Sequence, residues 1–164
     1  MYWDKEIEPL KPDELKELQF QRLRETITRA ERSPFYRKRL AEAGVSAEGL
    51  RSLDDIRRIP FTTKDDLREH GREMLTRPLE DMVRLHASSG TTGKATVIFY
   101  TREDIALWAD LVARCMYMTG VRPADVFQNM MGYGLFTGGL GFHYGAERLG
   151  VLTIPASAGN TQRQ

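Results

Sequence analysis

The sequence predicts an α/β fold: a charged helical segment over residues 1–80, then, over 81–164, part of a mostly parallel, helix-flanked sheet that stops incomplete. Three observations predict it. Residues 1–80 hold 17 basic and 17 acidic side chains but only three glycines, a composition of solvated, charge-laced helices. Residues 81–164 hold 7 basic and 6 acidic side chains and eleven glycines, which suits a buried core joined by tight loops. Finally, the second half alternates short apolar runs with helical stripes in the order β-β-α-β-α-β, and helices joining later strands imply right-handed crossovers.

The elements follow in order. Asp13 is placed to cap a helix carrying Leu15, Leu18, Leu23, Ile27 and Ala30 on one face. Ser33 before Pro34 reads as an N-cap with proline at the first helical position, and Gly44 supplies a stop. Ser52 and Asp55 open a short helix that Pro60 ends, and Thr63 opens another reaching about His70. "MVRLHA" (82–87) and "TVIFY" (96–100) read as strands. Thr101 caps a helix with Ile105, Trp108, Leu111, Val112, Cys115 and Met116 on one stripe, stopped at Gly120. "DVFQNMM" (125–131) is the next strand, Gly138 to Leu149 a helix ended by Gly150, and "VLTIPA" (151–156) a buried strand.

Composition excludes several classes. A formal charge of +1, from 24 basic and 23 acidic residues, argues against a broad nucleic-acid footprint. No apolar run is long enough for a membrane helix, and the acidic start "MYWDKEIEPL" lacks the apolar core of a secretory signal. Cys115 stands alone, so no internal disulfide or multi-cysteine metal site is expected, and the cytoplasm is the expected address. On the helical stripe Cys115 reads as a core residue, as does Trp108. His143 and Glu147 stand at i, i+4 without a third ligand, which favours a hydrogen bond over a metal site. His86, before the loop, fits either a satisfied hydrogen bond or a phosphate-side contact.

The chemistry concentrates in "LHASSGTTGKATVIFY" (85–100). A Walker A loop needs four residues between its first glycine and Gly-Lys, and a helix after it. Here two residues separate Gly90 from Gly93 and a strand follows, so that reading fails. Neither G-x-G-x-x-G nor G-x-S-x-G occurs. What remains is a hairpin-like loop in which glycines let amides converge, hydroxyls donate to phosphate oxygens and Lys94 adds one charge. A plain turn of ordinary loop residues is the alternative.

"SSGTTGK" resembles the phosphate-binding signature of the adenylate-forming superfamily. With "SPFYRKRL", "IPFTTKDDLRE", "GYGLFTGGLGFHYGAERLG" and "GNTQRQ", the whole chain resembles the phenylacetate–CoA ligase family. The resemblance implies the α/β N-terminal domain of that fold. It also implies a reaction in which an aryl acid attacks the α-phosphorus of ATP, with Mg2+, before coenzyme A displaces AMP. By this resemblance Ser88, Ser89, Gly90, Thr91, Thr92, Gly93 and Lys94 grip ATP phosphates, and Tyr133, Phe136, Gly138 and Gly139 line the aryl-acid pocket. The chain departs from the family at Ala95, where proline is usual, and at Met131, where relatives often carry tyrosine. Family members are considerably longer, so the catalytic lysine is expected beyond residue 164 and little ligase activity is expected of this segment alone. Expected partners are the acid, ATP and CoA, with no nucleic acid or membrane. A homodimer, or a non-catalytic nucleotide- or partner-binding remnant completed by another chain, is left open.

Overall fold

A computed structural model of the protein describes residues 2–88, 95–159, 161 and 162. Two compact units divide the chain: Lys5–Asp81, and Met82–Gln164 together with Met1–Asp4.

The Lys5–Asp81 unit is helical. Helix α1 (Pro12–Ala30) starts earlier than Asp13 suggests, because Pro12 takes the first helical position and the Glu14 carboxylate accepts from the Lys11 N–H at 2.8 Å. Asp13 lies in the first turn, where its charge suits the helix dipole. Helix α2 (Pro34–Glu42) is capped as expected: the Ser33 hydroxyl accepts from Tyr36 N–H at 3.3 Å and donates to the Glu73 carbonyl at 2.7 Å. Gly44 ends it at φ +62°, a conformation costly for any residue with a Cβ. A 3-10 helix (Leu53–Arg58) and α3 (Lys64–His70) follow. The core gathers Ile27, Leu40, Val45, Ala47 and Leu50, while Leu15 of the expected stripe stays exposed.

The second unit is α/β. Strands β1 (Met82–Ala87) and β2 (Val97–Thr101) pair antiparallel, with His86 opposite Ile98 and Ala87 opposite Val97. An antiparallel pair suits the hairpin-like connection read from the sequence, since residues 88–96 are too few for the crossover of about a dozen residues that parallel strands need. Thr101 closes β2 and caps α4 (Arg102–Met118) through a reciprocal bond: its N–H donates to the Asp104 carboxylate at 2.8 Å, and its hydroxyl accepts from Asp104 N–H at 3.2 Å.

Strand β3 (Val126–Gln128), helix α5 (Gly138–Leu149) and strand β4 (Leu152–Ile154) form the expected crossover, with β3 and β4 parallel. Both strands are shorter than the apolar runs that predict them. β4 is not buried: Leu152 is 66% and Ile154 43% exposed. Among the described residues the sheets have two strands each, and Val126 of β3 is exposed along with Leu152 and Ile154.

Helices α4 and α5 pack through small residues. A Cβ on Gly141 would sit 2.6 Å from the Trp108 ring, and one on Gly145 2.4 Å from Val112 Cγ1. The core between them holds Ala113, Met116, Ala146, Leu149 and Val151. Trp108 is half-buried there, whereas Cys115, expected in the core, is exposed because the buried stripe runs through Ala113 and Met116 instead.

Candidate functional site

Alternation along the hairpin puts His86 and Ser88 of the first strand's run on one face with Ile98 and Tyr100 of the second. Past the ladder the pairing continues: Ser88 N–H donates to the Thr96 carbonyl at 3.0 Å, and Thr96 N–H to the Ser88 hydroxyl at 3.3 Å. Thr96 therefore joins the same face. With Ala87, Phe136 and Thr137 these residues line a cleft of about 130 Å³. That is comparable to the roughly 150 Å³ cavities that admit a benzene ring.

Three aromatic contacts stiffen the hairpin face. His86 packs edge-on against Tyr100 at 5.6 Å and against Trp108 at 5.4 Å, and Tyr100 stacks on Trp108. Burial, with the Asp104 carboxylate second, pushes the Tyr100 phenol above its ordinary value, so it is neutral around pH 7. His86 Nδ1 lies 2.9 Å from the Leu135 carbonyl, the hydrogen bond that one of its two expected roles requires.

The expected phosphate-binding residues divide. Ser88 is at the cleft, where it closes the hairpin. Ser89, Gly90, Thr91, Thr92, Gly93 and Lys94 lie outside the described residues.

The expected acid-binding residues also divide. Phe136 is 60% exposed and lines the same cleft as Ser88, so one residue from each group borders it. Gly138 faces the Met131 side chain and the Phe136 ring: a Cβ there would lie 2.4 Å from Met131 Cε and 3.9 Å from Phe136 Cδ1. Gly139 is instead pressed on backbone, since a Cβ would come within 2.4 Å of the Gly132 carbonyl oxygen. Tyr133 does not line the cleft; its hydroxyl sits between Asn129 Nδ2, at 2.8 Å, and His143 Nδ1, at 3.1 Å. His143 Nε2 in turn lies 3.2 Å from Glu147, so the i, i+4 pair is a hydrogen-bonded link. Among the described residues no three His, Cys, Asp or Glu side chains gather as a metal site.

Asn129 escaped the sequence reading. It is 1% exposed at the end of β3, and its amide donates to Tyr133 and, at 2.7 Å, to the Gly139 carbonyl. Its side-chain oxygen accepts from Met131 N–H at 3.2 Å. The available signal was a polar residue inside the apolar run "VFQNMM", just before the glycine-rich turn.

No family model matches the chain. Over 166 aligned positions, covering 100% of this chain, it is 49% identical to a phenylacetate-coenzyme A ligase of Thermus thermophilus. Over 160 positions and 96% of this chain it is 51% identical to the phenylacetate-coenzyme A ligase of Escherichia coli K12. In each case the chain spans 37% of the relative's length. Among solved structures, an open conformation of a 2-hydroxyisobutyryl-CoA ligase in complex with 2-HIB-AMP and CoA superposes with a TM-score of 0.88. That likeness has 31% identity and covers 98% of this chain and 38% of the solved one. No helix among the described residues is long and apolar enough to cross a membrane.

Proposed function

We propose that this chain, which corresponds along its whole length to a part of the phenylacetate–coenzyme A ligases, is the N-terminal portion of an aryl-acid–thiol ligase. The reaction joins phenylacetate to coenzyme A in two steps. The acid's carboxylate oxygen attacks the α-phosphorus of ATP and expels diphosphate; the thiol then attacks the acyl carbon, and AMP leaves. The first step converts a poor leaving group into a good one, and its barrier falls when charge on the departing diphosphate is neutralised.

In this reading Ser88, Ser89, Gly90, Thr91, Thr92, Gly93 and Lys94 hold the β- and γ-phosphates. Phe136, which lines the cleft with Ser88, takes one face of the aryl ring, and Gly138 lines the pocket beside it, next to the Met131 side chain. Tyr133 and Gly139 support that wall through Asn129. Mg2+ arrives with the triphosphate. The observation that supports the reading is the ring-sized, mostly apolar cleft that Ser88 and Phe136 both line.

The test is a hybrid in which this chain replaces the matched residues of the Escherichia coli relative. It should catalyse ATP–diphosphate exchange that depends on phenylacetate; a folded hybrid without such exchange would overturn the proposal. The 164-residue chain by itself is expected to form no phenylacetyl-CoA at ordinary rates.

A second reading, a non-catalytic nucleotide- or partner-binding piece completed by another polypeptide, draws on the exposed Val126, Leu152 and Ile154 of the β3–β4 sheet. The mass of the purified protein in solution separates the two, since completion in trans requires a heterodimer or a self-associated dimer.

A further inference from the structure

We infer that His86 is a positioning residue for the acid side of the cleft, acting through a single ring nitrogen on the Leu135 carbonyl. The inference rests on the proposed role of Phe136 in binding the acid.

A histidine that is 2% exposed on a strand face must find a partner or carry an uncompensated desolvation cost. Its Nδ1 faces the Leu135 carbonyl at 2.9 Å. A carbonyl only accepts, so Nδ1 must carry the proton. The Ala87 N–H donates to that same oxygen at 3.0 Å. Two consecutive residues of β1 thus grip one carbonyl, and the next residue along is Phe136.

This grip matters because burial does not hold the segment. The side chains of Leu135 and Phe136 are 59% and 60% exposed, so the chain there is fixed through its backbone. His86 is itself immobilised, edge-on to both Tyr100 and Trp108. The ring is used on one side only: Nε2 is buried and has no hydrogen-bond partner among the described residues.

One-sided use makes the role testable by two substitutions. An asparagine amide can place a donor near the position of Nδ1, whereas a glutamine amide reaches the position of Nε2. His86→Asn should therefore keep the grip and His86→Gln should lose it.

The experiment is NMR of the full 164-residue chain, reading the ring nitrogens of His86 and the exchange rate of the Ala87 amide. The expected result is a protonated Nδ1 with a bare Nε2. Ala87 exchange should rise about tenfold or more in His86→Gln, and stay within about threefold of the parent in His86→Asn. A bare Nδ1 in the parent chain, or equal protection in the Asn and Gln variants, would overturn the inference. Should the Gln variant not fold, the parent tautomer and the Asn variant still decide. Neither readout needs ligase activity, so this result and the fate of the proposed function can be told apart.

Discussion

The side-chain amide of Asn129 donates to the Gly139 carbonyl across 2.7 Å, tying the end of β3 to the first turn of α5. With the bonds to Tyr133 and from Met131, every polar function of this buried side chain is used. Asn129→Ala should lower unfolding free energy by about 2–4 kcal/mol, since it removes three hydrogen bonds and leaves a cavity where a fully buried side chain stood. Asn129→Asp should be worse than Ala, because a carboxylate cannot donate to the carbonyl and brings a buried charge. Urea titration of the chain checks both, and an Asp variant as stable as the parent would contradict the assignment.

Adjacent glycines should behave differently. A Cβ at Gly139 meets the backbone oxygen of Gly132 at 2.4 Å, which cannot yield without moving the turn. At Gly138 the obstacle is the end of Met131, a flexible side chain that is 41% exposed. Gly139→Ala should therefore cost about 1–3 kcal/mol, and Gly138→Ala less than about 1 kcal/mol. Thermal unfolding of the two variants supplies the comparison.

The helical unit carries an acid-sensitive cap. Asp66 accepts from Thr63 N–H at 2.7 Å and from Arg39 at 2.8 Å, and the first of these leads in holding its carboxyl at about 2 against an ordinary 3.8. A depressed folded-state value means that the contribution is complete above pH 4 or so and is lost as pH falls towards 2. Asp66→Asn should flatten the stability profile across that interval while leaving its slope near neutrality unchanged. Unfolding midpoints measured from pH 2 to pH 6 would show it.

Much of this was legible in the sequence. Ser33, Thr63 and Thr101 announce their helices because capping is local chemistry, and each accepts from the N–H three residues on. Gly44, Gly120 and Gly150 all adopt positive φ where a stop was expected. Asp13 misleads because Lys11 has no side-chain acceptor to advertise the cap, which Glu14 supplies from inside the helix. Cys115 misleads because an apolar stripe wider than the contact leaves its margins exposed. The aromatic and glycine cluster after β3 was readable as a stretch, and Phe136 lines the cleft. That Tyr133 and Gly139 meet Asn129 instead was not readable, because tertiary contacts set that network and spacing does not encode them.

Phe136 separates stability from binding. Its exposed ring contributes little to the fold, so Phe136→Ala should change unfolding free energy by less than about 0.5 kcal/mol. In the hybrid enzyme the same substitution should raise the phenylacetate concentration needed for half-maximal exchange about tenfold or more, leaving that for ATP unchanged. Loss of stability without loss of acid affinity would assign the ring to packing.

Lys94→Ala in the hybrid tests most directly the proposal that residues 88–94 hold the diphosphate as it leaves. Phenylacetate-dependent ATP–diphosphate exchange should fall by about a hundredfold, with folding and the phenylacetate requirement intact. An exchange rate equal to that of the unsubstituted hybrid would contradict it.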